Sequence, residues 1–215
     1  MSEIPTTIST SDGFCVKPAG GEQVILLLDL FFDEIASIGL PIFEHLKPGL
    51  PEAQIRSVLS TRGLSAPDEL IAWYSRFDGP EFAVDEQPFN CFPKFALHSL
   101  ETAITLFDRD SSAPGLGTEP WEWDPRWLRL GGPVQSMAVQ CGPIAEAPVL
   151  VRSVGDDRTT QEIRPPYQVV SLCTPLTWWI EGLRAGLYRW DSHSRHWTVN
   201  KSAAVDHDRA VTGMI

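Results

Sequence analysis

Basic residues are almost missing from the middle of this sequence. Between Asp78 and Asp124 only Lys94 and Arg109 face ten acids: Asp78, Glu81, Asp85, Glu86, Glu101, Asp108, Asp110, Glu119, Glu122 and Asp124. Two bases against ten acids give that stretch −8, and fifteen bases against eighteen acids leave −3 for the rest of the −11 total. A field of that sign repels phosphate backbones and attracts cationic surfaces, so direct DNA or RNA binding is disfavoured. Long apolar runs are also missing. The longest, Val24 to Phe32, is interrupted by Asp29 and is too short to span a bilayer. The N-terminus has no basic region ahead of an apolar stretch, so no secretory signal is read and a cytosolic protein is expected. Cysteine is sparse: Cys15, Cys91, Cys141 and Cys173 form no C-x-x-C pair, which predicts free thiols and no zinc site. No G-x-S-x-G, G-x-x-x-x-G-K-[ST] or G-x-G-x-x-G occurs, so the nucleophile, P-loop and dinucleotide readings lapse.

What is present is ample for a packed domain: 215 residues, 43 % hydrophobic, with eight Trp. The clearest local signals run from Gly49 to Gly79. Pro51 and Glu52 suit the first turn of a helix, one for its fixed φ and missing N–H, the other for its charge at the positive end of the dipole. Ile55, Val58 and Leu59 then form an apolar stripe, and Gly63 is expected as a left-handed stop. Ser65 with Asp68 reads as a capping box for a second helix, with Leu70, Trp73, Tyr74 and Phe77 on its buried face and Gly79 at its end. All of this is framework rather than chemistry.

Further along, Ser99 is expected to cap a helix with Ala103, Ile104 and Phe107 on its apolar side. Ser111 to Glu119 reads as a loop, and Val134 to Gln140 and Val149 to Val154 as β-branched strands. Gln168 to Leu172 reads as a further strand or a lead-in. Thr174 and Pro175 are expected to open a last helix carrying Leu176, Trp179, Ile180 and Leu183. Strands set between separated helices predict an α+β fold. The expected organisation is an N-terminal extension over 1–48 packed on the core, a domain over 49–190, and a polar, frayed tail over 191–215.

In order and spacing these pieces resemble the SUKH superfamily, which takes in the Smi/Knr-type cell-wall regulators of fungi and many bacterial immunity proteins. The resemblance runs from the Ile55–Leu59 helix through Gly63-Leu64, Pro67, Leu70 and Trp73-Tyr74 to Asp78-Gly79, where the family usually has Asn-Gly. It continues through Leu97, Ser99, Leu100 and Glu101, then Trp123, Pro125, Trp127 and Leu128. It ends on Ser171-Leu172, Trp178-Trp179-Ile180 and Gly186-Leu187-Tyr188. After the Trp-Leu pair this chain has Arg129-Leu130-Gly131-Gly132-Pro133 in place of the family's usual Pro and Gly-Asp step. The resemblance implies a single domain with a largely antiparallel or mixed sheet flanked by helices. It also implies a noncatalytic binding protein, most often one that neutralises a toxin.

Three clusters compete for function. Asp191, His193 and His196, with His207 and Asp208, offer metal-ligand types, but in a polar terminal segment that reads as solvated tail. Glu119, Glu122 and Asp124 lie among Trp121 and Trp123, the residue types of glycoside hydrolysis or sugar stacking, yet carboxylates of one loop rarely flank a substrate. Acid runs commonly do no more than keep loops solvated. The alternative is that Glu81, Asp85 and Glu86 join Glu119, Trp121, Glu122 and Asp124 in an anionic face for a basic protein, with Trp121 as its anchor. The expected partner is a basic toxin domain. A Smi/Knr-like regulatory scaffold, with the N-terminal extension contributing to binding, and a carbohydrate-binding protein are the alternatives. No cofactor, metal or membrane partner is expected.

Overall fold

The computed structural model describes residues 5–10, 13–40, 46–80, 96–112, 126–132, 135–142, 149–154, 160–161, 171–193, 196–200 and 203. The order begins with strands β1 (Thr6–Thr10) and β2 (Gly13–Lys17), helix α1 (Gly21–Ser37) and strand β3 (Leu46–Pro48). Helices α2 (Glu52–Ser60) and α3 (Asp68–Arg76) follow, then β4 (Phe77–Pro80), β5 (Ala96–Leu97) and α4 (Leu100–Ser112). Strands β6 (Trp127–Gly132), β7 (Gln135–Gln140), β8 (Val149–Val154) and β9 (Thr160–Gln161) lead to α5 (Cys173–Arg184), β10 (Tyr188–Asp191) and β11 (His196–Val199). The fold is α+β. Strands β5 to β9 form an antiparallel meander in sequence order, while β1–β2, β3–β4 and β10–β11 are antiparallel pairs.

The three-helix layer is built on α1. Val24, Leu27, Leu28, Phe31, Phe32 and Ile35 repeat at helical spacing and are buried against α3 and α5. Phe31 meets Trp179 of α5, with ring centroids 6.1 Å apart, and Phe32 meets Phe77 edge-on at 5.4 Å. This helix falls in the segment read as an extension, yet its side chains belong to the same buried cluster as Ile55, Leu70, Trp73, Leu128 and Trp179. On the sheet side, α4 lies against β6, and Leu128, Leu130, Met137 and Val139 turn into the core.

Helix ends follow the glycine signals closely. Gly63 sits at φ 70, its N–H bonds Ser60 O, and Leu64 N–H reaches back to Leu59 O. That is the Schellman pattern, with Leu64 buried as its apolar clasp. Gly39-Leu40 ends α1 and Gly186-Leu187 ends α5 in the same way.

Several expectations need correction. The Ser65–Asp68 box is not formed: α3 starts at Asp68, no side chain caps it, and the Pro67 carbonyl accepts from Leu70 and Ile71 instead. Helix α3 stops at Arg76, because Phe77 is already extended and pairs in β4, so Gly79 is a strand glycine rather than a helix stop. Helix α4 runs through Ser111 and Ser112, into the stretch read as loop. Residues 171 and 172 are not strand, and α5 opens at Cys173, with Ser171 Oγ accepting the Cys173 N–H. Thr174 is therefore inside the helix and not its cap. The tail read as frayed from residue 191 begins inside the β10–β11 hairpin, where Trp190 and Trp197 pack edge to face at 5.5 Å.

Candidate functional site

Within the acidic stretch, the described residues on either side of 81–95 are held together. Asp78 on β4 is buried, and its Oδ1 accepts the N–H of Leu100, the first residue of α4, at 2.7 Å. Beside it, the Gly79 backbone touches that of Ser99: a Cβ at Gly79 would stand 2.7 Å from Ser99 N. Ser99 Oγ in turn accepts the Thr102 N–H, the cap expected from the sequence. The residues on either side of 81–95 are thus fastened side by side. Burial pushes the Asp78 carboxyl above its usual range, opposed by the Leu100 hydrogen bond and the Lys47 charge.

Two of the ten acids are therefore not free surface charge. Asp78 is an internal cap. Asp108 makes two bonds to Arg62 beyond the end of α2, Nε to Oδ1 at 2.9 Å and Nη2 to Oδ2 at 2.7 Å, and the guanidinium holds its carboxyl below the usual range. Glu101 is exposed. Glu81, Asp85, Glu86, Glu119, Trp121, Glu122 and Asp124 lie outside the described residues, as do Trp123 and Pro125.

The interior holds a polar junction with no sequence signature. Glu69, in the first turn of α3, is fully buried. Its Oε1 accepts from Gly20 N–H at 3.0 Å and Ser171 Oγ at 2.7 Å, and its Oε2 from Leu172 N–H at 2.8 Å. Gly20 precedes α1 and Leu172 precedes α5, so three helix N-termini converge on one carboxylate. Their dipoles and N–H groups replace its lost hydration. Cys173 Sγ lies 3.8 Å from both Glu69 Oε1 and Gly20 O.

The other buried titratable groups are held in unreactive forms. Burial pushes the Cys141 thiol up to about 12; burial with the Glu69 charge does the same for Cys173. A nucleophilic cysteine needs the opposite shift. Burial, with the Asp78 charge, raises the Tyr74 phenol well above its usual value, and its hydroxyl has no hydrogen-bond partner among the described residues. His98 is lowered to about 4 by burial and by the Arg129 charge, so its ring is neutral at pH 7.

His193 and His196 are exposed at the β10–β11 turn, where Asp191 Oδ1 accepts the His193 N–H at 2.9 Å, a turn-forming role. His207 and Asp208 are outside the described residues. Among the described residues no group of three His, Cys, Asp or Glu could hold a metal, and no helix is long and apolar enough to cross a membrane. Cys141 and Cys173 are free thiols. The side chains of Cys15 and Cys91 are outside the described set. No protein-family model matches the chain, and no curated protein matches it.

Proposed function

We propose that this chain is a noncatalytic binding protein that holds a basic protein domain, and that the domain is a toxin neutralised by stoichiometric complex formation, as in SUKH-type immunity proteins. The observation that carries this reading is the charge concentrated between Asp78 and Asp124, ten acids against two bases. Such a field gives a cationic partner a fast, salt-sensitive approach and can occupy the phosphate-binding positions of a nuclease cleft. Two features of the framework support it. Asp78 is tied to Leu100 and Gly79 lies against Ser99, which fixes two points of the acidic stretch side by side. The buried thiols and His98 are held in forms poorly suited to catalysis.

The test is to search beside its gene for a toxin domain and to co-express the chain with the one found there. Protection of the host and a one-to-one complex that weakens with salt are expected. Several endogenous partners captured in place of a toxin would instead indicate a Smi/Knr-like scaffold.

A further inference from the structure

Helix α1 leaves one face in solvent, and that face is unusual in composition. Ile25 is 39 % and Leu26 is 61 % exposed, while Val24, Leu27 and Leu28 beside them are buried. Residues three and four apart share a helix face, so Glu22 stands one turn before this apolar step, Asp29 one turn after it, and Asp33 a turn further. Glu22 and Asp33 are exposed and make no ion pair among the described residues, whereas Asp29 is bonded to Arg76 at 2.6 Å. The whole of α1 carries four acids and no base.

Scattered exposed leucines need no explanation, but the water-facing positions of an amphipathic helix are ordinarily polar. Here two bulky apolar side chains sit together on that face, framed by Glu22 and Asp33, which have no counter-ion among the described residues. We infer that the outer face of α1 docks a basic amphipathic segment of a partner protein. The segment's own apolar residues cover Ile25 and Leu26, and its Lys or Arg side chains meet Glu22 and Asp33. Charge decides between this occupant and a second copy of the chain: two α1 faces laid together would set these carboxylates against their own kind. The inference uses other residues than the acidic stretch beyond Asp78 and does not depend on it.

The experiment measures binding of a labelled synthetic amphipathic peptide of leucine and lysine to the full chain by fluorescence anisotropy. Leu26→Gln and Ile25→Gln change solvent-facing side chains without altering charge. Each should weaken binding about tenfold, the loss expected for one buried aliphatic contact, with an unchanged thermal midpoint. Asp33→Asn should weaken binding and flatten its salt dependence, and Glu52→Gln on α2, outside both acidic surfaces, should leave it unchanged. Wild-type affinity in both apolar variants overturns the inference. So does self-association of the wild type that Leu26→Gln abolishes, which would make the face an interface between copies. If toxin protection fails while the peptide results hold, the proposed function is contradicted and this docking face stands.

Discussion

A carboxylate taken out of water is stable only where donors replace its hydration shell, and Glu69 meets that condition with groups 49 and 102 positions away in sequence. Its truncation would strand the N–H groups of Gly20 and Leu172 and the Ser171 hydroxyl in the interior. Glu69→Ala should therefore lower stability by about 3 kcal/mol or more in urea denaturation, far beyond an ordinary surface substitution. The thiols give a second check. With Cys141 and Cys173 raised to about 12, neither should react with a thiol reagent at pH 8 until the chain is unfolded, and rapid modification of either one in the folded protein, mapped by peptide mass, contradicts the described burial. His98 gives a pH dependence. Between about 4 and 6.5 the unfolded chain binds a proton on His98 that the folded chain refuses, so stability is lost as pH falls through that window, by about 3 kcal/mol at most. Asp78 acts in the opposite sense above 3.8: its raised folded value favours the protonated folded state, a contribution lost as pH rises. His98→Gln should flatten the stability slope between pH 4.5 and 7, and an unchanged slope would show that His98 is not its source.

Two glycines in the helical layer are required for different reasons. Gly63 needs its left-handed φ of 70 but has open space around the missing Cβ, so Gly63→Ala should cost only about 1 kcal/mol. At Gly49 a Cβ would lie 1.8 Å from the Ser75 carbonyl oxygen, so Gly49→Ala must push β3 away from the end of α3 and should cost several times more. Equal losses in urea denaturation would contradict this distinction. Local chemistry of this kind is where the sequence was most readable. The stop at Gly63, the Ser99 cap and the β8 bounds follow from residues within a turn of each other. The failures are those in which a distant partner decided the outcome. Pairing of β4 with β3 ends α3 before Gly79, and α5 opens at Leu172-Cys173, where Glu69 accepts the Leu172 N–H, rather than at Thr174. Glu69 itself looks like an ordinary first-turn acid, because nothing near it in sequence announces its partners.

At the scale of the molecule, the segment read as an N-terminal extension packed on the core places its helix α1 in the main buried cluster. Six buried α1 side chains, each contributing about 1.5–3 kcal/mol, are together comparable with a typical net stability of about 5–15 kcal/mol. Removing residues 1–39 should abolish cooperative unfolding, and a truncated chain that still melts cooperatively would return α1 to the role of an appendage. The α+β class was legible because helices and strands alternate without a βαβ rhythm. The place of α1 was not, since an amphipathic period tells which face is buried but not what buries it. The proposed partner surface rests on sequence charge alone: Asp78 and Asp108 are engaged within the framework, and Glu81, Asp85, Glu86, Glu119, Trp121, Glu122 and Asp124, outside the described residues, are the proposed contacts. The central claim is that this charge holds a basic protein domain. Calorimetric titration of the chain with a basic toxin domain found beside its gene, at ~50 mM and ~500 mM salt, tests it most directly. A one-to-one complex at low salt whose affinity falls about tenfold or more at high salt is expected, and the absence of any complex at low salt would contradict the claim.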